Sequence, residues 1–335
     1  MIGAAEFPIL LAYRALGVGD LLTGVPALRA LAGAFPDHRL VLAAPASLAP
    51  LVRLAGVAGT LLDSRAFAPL NVPLIRHGIT HVDVAVNLHG RGPQSHRVLR
   101  GTNPDRMIGF EDPIRHHGAP AAPIWHEDEH EVHRWCRMLE EHGIPTDADD
   151  LEIEAPGPEL AAAHGPDVVG STVLHVGAAS GARQWPAARF AEVARSELAA
   201  GRSVVFTGSG QERPLAERAA AAAGAPPTSV LAGSTDLEEL AAIVAGARAV
   251  VCGDTGVAHL ATALRTPSVV LFGPTPPRLW GPPPSRPWHV PLWSGSVGDP
   301  HADVPDPGLL RITAPDVLTA LEQLHALASP IGGTR

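Results

Sequence analysis

Gly253-Asp254-Thr255-Gly256-Val257-Ala258-His259-Leu260 has the residue types and spacing to handle a phosphorylated ligand. The apolar run Ala247 to Cys252 before it reads as a buried parallel strand. The small residues from Val257 to Leu264 read as a helix. A Thr-Gly pair that opens a helix leaves backbone N–H groups unpaired at the positive end of the helix dipole. Such a terminus suits an anion, most often a phosphate. Gly177, Gly208 and Gly273 close three further apolar runs in the same half, with Phe272-Gly273-Pro274-Thr275 forming a Gly-Pro turn. Ligands of open α/β sheets bind outside the C-terminal ends of the strands. Gly177, Gly208, Asp254 and Gly273 are therefore expected to meet at one crevice.

Other candidates are weaker on their residues alone. Asp20, in Gly17-Val18-Gly19-Asp20, reads as the N-cap of a helix starting at Leu21. Glu212 follows Gly208-Ser209-Gly210 as an acid in a first helical turn. Gly17-x-Gly19-x-x-Leu22 lacks the third glycine of a dinucleotide fingerprint, and no acidic ribose ligand follows at the right distance. Asp147-Ala148-Asp149 reads as solvated loop. His126, His130 and His133, with Glu127, Glu129 and Glu131, suggest a metal cluster at helical spacing, with an ordinary helix as the alternative. Cys136 and Cys252 belong to no metal-type spacing, and a reducing cytoplasm is the default.

The elements that must position these residues alternate strand and helix, which implies doubly wound parallel sheets. In the first half the strands read Pro8 to Tyr13, Arg39 to Ala44, Thr60 to Leu62, Val82 to Asn87 and Arg106 to Phe110. A helix is expected from Asp20 to Ala34 and another from Leu48 to Leu54. His89-Gly90-Arg91-Gly92 is a loop at a strand end. Glu127 to His142 reads as a polar helix, and the Pro/Gly/Asp-rich stretch from Gly143 to Gly170 as the domain boundary. In the second half the strands read Thr172 to Val176, Ser203 to Thr207, Val230-Leu231, Ala247 to Cys252 and Ser268 to Phe272. Helices are expected at Pro186 to Ala199, Gln211 to Ala223, Asp236 to Ala245 (capped by Ser234 or Thr235) and Ala314 to Leu327. Gly281 to Pro307 reads as loop.

Composition bounds the function. At 335 residues and 46% hydrophobic, the chain suits two domains with large cores. The net charge of -9 argues against nucleic acid, whose binding rests on many phosphate contacts. Charge is uneven: residues 1–115 hold 11 Arg against 8 Asp/Glu, and residues 116–335 hold 14 Arg against 26, which leaves the first half open either to an anionic acceptor or to an ordinary solvated surface. There is no Lys. Met1 to Leu11 lacks the pattern of a signal peptide, and no stretch approaches the length of a membrane span.

In this order and spacing the motifs resemble glycosyltransferase family 9, the heptosyltransferase-like enzymes of lipopolysaccharide core assembly. Leu16-Gly17-Val18-Gly19-Asp20-Leu21-Leu22-Thr23 with Pro26-Ala27-Leu28 is similar to the family's N-terminal signature. Arg106-Met107-Ile108-Gly109-Phe110 resembles its middle segment. His175-Val176-Gly177-Ala178 with Arg183-Gln184-Trp185-Pro186 resembles the opening of its second domain. Asp254-Thr255-Gly256-x-x-His259 and Phe272-Gly273-Pro274-Thr275 complete the set.

The resemblance implies a GT-B fold: two Rossmann-like domains facing across a cleft. Residues 1–155 would bind the acceptor and 156–313 the nucleotide-sugar, with 314–335 packing back on the first domain. It implies an inverting, metal-independent transferase with no cofactor beyond its co-substrate. The donor would be a nucleotide-diphospho-sugar such as ADP-heptose, and the acceptor a glycan or glycolipid. The enzyme would be cytoplasmic, with peripheral association at the inner face of the membrane. Asp20 becomes the general base and Arg183, where the family usually carries Lys, the group that stabilises the leaving diphosphate. Gly177, Gly208, Glu212, Asp254, Thr255, Gly256 and His259 become donor ligands, Glu212 at the ribose. Gly19, His89 and Arg91 are expected on the acceptor side. A GT-B epimerase or phosphorylase and a non-catalytic nucleotide-sugar-binding protein stay open as alternatives, and a nicotinamide dehydrogenase is more distant.

Overall fold

The structure is a computed structural model that describes residues 7–112 and 122–328. The chain divides into two compact units, Met1–Ile153 and Glu154–Arg335.

In the first unit five parallel strands, β1 (Ile9–Tyr13), β2 (Arg39–Ala44), β3 (Thr60–Asp63), β4 (Val84–Asn87) and β5 (Arg106–Ile108), lie in the order β3-β2-β1-β4-β5. Leu11 is registered between Val41 and Ala85. β1 is buried along its whole length, as a strand covered by helices on both faces must be. The chain winds outward from β1 to β3 and then restarts at β4 on the other side of β1. The β1–β4 gap is therefore the topological switch point, where such sheets bind ligands.

The second unit repeats the plan with β6 (Thr172–His175), β7 (Val204–Thr207), β8 (Ala249–Gly253), β9 (Ser268–Phe272) and β10 (His289–Trp293), in the order β10-β9-β8-β6-β7. Its switch point lies between β6 and β8, where His175 is registered against Cys252. Val230-Leu231, expected as a strand, shrinks to a single bridge from Val230 to Phe206. The 3-10 turn Pro227–Ser229 before it and Gly233 (φ 73°) after it leave no room for more.

Several expected elements are corrected. The helix expected over Asp20 to Ala34 is two helices, Val18–Thr23 and Val25–Ala34. Pro26 has no N–H to give to Leu22, and its ring would clash with that carbonyl in a continuous helix. Gly17 is the N-cap and Asp20 the third helical residue, so Asp20 is not the cap it resembled. The polar helix begins at Glu131 rather than Glu127, because the His130 ring accepts a hydrogen bond from the Val132 amide and caps it. The helix Leu237–Ala245 is capped by Asp236, not by Ser234 or Thr235. Asp236 Oδ1 accepts from the Glu238 and Glu239 amides at 2.9 and 2.8 Å. The stretch Gly281 to Pro307 contains β10, whose Pro291 is tolerated because it lies on an edge strand.

The terminal helix is Ala314–Ala328. It buries Val317, Ala320, Leu321 and Leu324 in the core of the second unit, with Trp185, Phe190 and Leu271. Residues 329–335 of that expected segment lie outside the described residues.

The helix break at Gly24 serves a buried side chain. A Cβ at Gly24 would lie 3.0 Å from both Cδ and Nε of Arg14. Gly24→Ala is expected to destabilise the protein by about 1–3 kcal/mol, read as a lower urea midpoint. Gly33→Ala, where a Cβ meets nothing within 4 Å inside the next helix, should instead stabilise by up to about 1 kcal/mol.

Candidate active site

The first-unit site is built around Arg14, which follows β1 and is fully buried. Its Nε donates to the backbone oxygen of Asp20, and Nη1 to that of Leu88, just beyond β4. Nη2 donates to Thr23 Oγ1 at 3.1 Å and to Glu131 Oε1 at 3.0 Å. The guanidinium carbon lies 4.9 Å from the centroid of the Trp135 ring. Glu131 also accepts from Trp135 Nε1 at 2.8 Å and from Arg134. Burial works to raise the Glu131 pKa, but Arg14 and Arg134 outweigh it and hold the group below its ordinary value.

Asp20 sits on this pair. Its Oδ2 accepts from the Gly17 amide at 3.1 Å, and its Oδ1 lies 3.9 Å from Arg14 Nη2. The side chain keeps 28% of its surface open, enough to meet a ligand. Burial raises its pKa, Arg14 opposes the rise, and the Glu131 charge adds to it. A raised carboxylate is a stronger base, which suits proton abstraction. Gly19 lies in the same turn, its carbonyl accepting from Thr23 Oγ1 at 3.0 Å.

His89 joins the cluster from the end of β4. Its ring stacks on Tyr13, with centroids 4.5 Å apart and planes at 15°. Burial, reinforced by the charge of Arg14, lowers its pKa to about 4, so it is neutral at pH 7. Arg91 is exposed and pairs with Glu127 at 2.5 Å.

At the second switch point the predicted residues fall into two linked groups. Glu212 Oε1 accepts from the Ala178 amide at 2.9 Å, and Oε2 from the Ser209 amide at 2.7 Å. One carboxylate thus ties the chain leaving β6 to the chain leaving β7. The approach is so close that a Cβ at Gly177 would lie 2.2 Å from Glu212 Oε2, and one at Gly208 3.2 Å from it. Near the end of β8, Arg183 Nη1 donates to the backbone oxygen of Asp254 at 3.1 Å. Thr255 is the N-cap of the helix Gly256–Ala263, and its hydroxyl is buried without a hydrogen-bond partner. The Asp254 side chain is 6% exposed; burial pushes its pKa up to about 6, with Arg183 opposing. His259, one turn into the helix, meets Trp280 edge-on at 5.8 Å.

A segment read as featureless loop braces this group. Ser180 Oγ donates to the Pro300 carbonyl at 2.6 Å, the Ala182 amide to Ala302 at 2.8 Å, and the Asp306 amide back to Ala182 at 3.1 Å. A Cβ at Gly181 would lie 1.9 Å from the Asp303 carbonyl oxygen. The Arg183 loop is thereby strapped against residues 300–306.

Arg14 and Glu131 were missed by sequence reasoning. The available signal for Arg14 was a charge directly following five apolar residues of a buried strand. Glu131 looked like any acid in a first helical turn. His130 and His133 meet edge-on at 5.4 Å in that helix start. His81, Asp83 and Asp105 do approach within 4.8 Å of one another, at the N-terminal ends of β4 and β5, the opposite end of the sheet from Asp20. There His81 pairs with Asp105 at 2.9 Å and Asp83 accepts from the Ile9 amide at 2.7 Å. Among the described residues no helix is long and apolar enough to cross a membrane.

With this geometry in place, the sequence pattern of glycosyltransferase family 9 (heptosyltransferase) matches residues 81–293. The chain belongs to that family. Lipopolysaccharide heptosyltransferase 2 of Escherichia coli K12 is 29% identical over 161 residues, covering 44% of this chain and 46% of that protein. The chain thus matches less than half the length of such curated relatives. Solved structures match over far more of the chain. A family 9 glycosyl transferase from Veillonella parvula has a TM-score of 0.79 at 20% identity, covering 97% of this chain and 99% of that one. The E. coli ADP-heptose lps heptosyltransferase II has a TM-score of 0.76 at 20% identity, covering 95% and 99%. At such identity the likeness is one of fold, and the fold is the GT-B architecture of two parallel α/β sheets.

The buried Asp254 gives a pH test. Its folded pKa lies above the ordinary carboxylate value, so the folded state favours the protonated form. Its stability penalty is absent below about pH 4, grows as pH rises through about 6, and is full above that. Asp254→Asn should therefore raise the stability of the ligand-free protein by about 1–3 kcal/mol at pH 8 and by almost nothing at pH 4, measured by urea unfolding at both. Equal effects at the two pH values would count against the buried carboxylate.

Proposed function

We propose that the protein is an inverting glycosyltransferase that moves heptose from ADP-heptose to a hydroxyl of a lipopolysaccharide-core-type acceptor. Arg183, the unpartnered Thr255 hydroxyl and the helix N-terminus at Gly256 bind the diphosphate. Glu212 keeps lone pairs beyond its two backbone bonds and takes the ribose. Asp254 and His259 face the sugar end of the donor, and Gly177 and Gly208 let the nucleotide approach the strand ends. On the acceptor side Asp20 is the base, with Gly19, His89 and Arg91 contributing to the acceptor surface. The enzyme works in the cytoplasm, peripherally at the inner face of the membrane, where a glycolipid acceptor would be presented.

In the step proposed, the acceptor oxygen attacks the anomeric carbon while its proton passes to Asp20. The bond from that carbon to the diphosphate oxygen breaks, and ADP leaves with the electron pair. Attack opposite to the leaving group inverts the configuration. Arg183 and the helix dipole stabilise the charge that develops on the leaving oxygen. No step calls on a metal ion.

The observation that carries this reading is the raised, partly open Asp20 carboxylate on the Arg14–Glu131 pair, in a chain whose other switch point has a cation and an unpartnered N-cap hydroxyl. Asp20→Asn should lower kcat by about 10²–10⁴ while ADP-heptose binding, measured by calorimetry, stays within about threefold of wild type. Transfer at near wild-type rate would remove Asp20 from the chemistry. If ADP-heptose failed to bind the wild-type protein, the donor assignment would fall.

A further inference from the structure

Phe67 is held in a conformation that its local structure does not explain. It is 54% exposed, and its φ is 61°, in the left-handed region that side chains other than Gly, Asn and Asp seldom adopt. Two other described non-glycine residues share that sign. Asn103 tolerates it, and Arg265 ends a helix, with the Thr266 amide reaching back to Ala261. Phe67 occupies the third position of a turn closed by the Ala68 amide on the Arg65 carbonyl, where glycine or asparagine is the usual choice. A large apolar side chain kept both strained and exposed points to use rather than to packing.

Its surroundings say what use. The Phe67 amide donates to the phenolic oxygen of Tyr13 at 2.7 Å, which locks the turn to the end of β1. The ring meets His89 edge-on, with centroids 5.0 Å apart and planes at 76°, and His89 in turn stacks on Tyr13. An edge contact leaves a face of the Phe67 ring open. The three rings stand at the C-terminal ends of β1, β3 and β4, beside the switch point. Arg14 links them to Asp20, bonding the Leu88 carbonyl next to His89 and the Asp20 carbonyl. His89 is 8% exposed and neutral at pH 7, and its Nδ1 is buried with no hydrogen-bond partner. An exposed, uncharged aromatic ring on an aromatic support suits a ligand that is apolar on one face. A pyranose ring has that character: C–H groups on a face and hydroxyls around the edge.

We propose that Phe67 is a stacking platform for a sugar ring of the acceptor, with His89 and Tyr13 as its support. The proposal rests on the transferase reading and adds a specificity-determining residue to it. Phe67 positions the acceptor so that a hydroxyl reaches Asp20, and it takes no part in proton transfer.

The test uses the full-length protein with deacylated lipopolysaccharide core oligosaccharides, with and without heptose, as probes, and ADP-heptose in a separate arm. Phe67→Gly suits the backbone angle, so Tm should hold or rise. Oligosaccharide Kd and acceptor KM should rise at least about tenfold, with the ADP-heptose Kd unchanged. Phe67→Trp should keep Kd within about threefold, because a larger ring still stacks. Saturation-transfer NMR should carry magnetisation from the Phe67 ring to sugar C–H protons. Unchanged oligosaccharide affinity in Phe67→Gly, or a lowered Tm with affinity intact, overturns the platform. ADP-heptose binding by a wild-type protein that binds none of the oligosaccharides also overturns it. Loss of both arms in the wild type overturns the transferase reading beneath it.

Discussion

A buried guanidinium sets the terms for the first unit. Arg14 lies at the end of a strand with no water to solvate its charge, and an unpaired ion there would cost several kcal/mol. Glu131, 117 residues further along, supplies the counter-charge, and Thr23 and the carbonyls of Asp20 and Leu88 take three further donors. Meeting that demand brings the end of β1, the Asp20 turn, the end of β4 and the helix Glu131–Glu141 to one point. Gly24 follows from the same constraint, since any side chain there would press on Arg14.

The second unit reaches a similar result by other means. Glu212 satisfies its carboxylate with two backbone amides, which draws the ends of β6 and β7 together and excludes a side chain at Gly177. Arg183 is held by a backbone carbonyl and by the strap at residues 300–306. In both units the charged side chains at the switch point are fixed by backbone groups of neighbouring strand ends. The Thr255 hydroxyl is the contrasting case: a polar group left unmatched by the protein where a ligand oxygen would match it.

Much of this architecture was legible in the sequence. Buried parallel strands are continuous apolar runs, and nearly all of them were located. Local signals also pointed to Thr255-Gly256, because glycine-rich turns after such runs are where these folds expose backbone, whereas Asp20 and Arg183 drew their proposed roles from the resemblance to family 9. What was not legible is mostly long-range. Nothing local connects Arg14 to Glu131 or Ser180 to Pro300. β10 was hidden by its own Pro291, and the terminal helix showed an apolar face without showing which core would take it. The break at Gly24 could have been read from Pro26, and the His130 cap from the polar residues before Glu131. Phe67 gave no sign, since its interest lies in a backbone angle.

The account depends on Asp20 being a carboxylate whose basicity is raised by burial, with Arg14 opposing the rise and Glu131 adding to it. The direct measurement is a carbon-13 NMR titration of the Asp20 carboxyl in the wild-type protein and in Glu131→Gln. Asp20 should titrate above the ordinary Asp value in the wild type. Its pKa should fall in Glu131→Gln, where the neighbouring negative charge is gone and Arg14 acts on Asp20 unopposed. An Asp20 that titrates at or below the ordinary value, or that is indifferent to Glu131, would contradict the account.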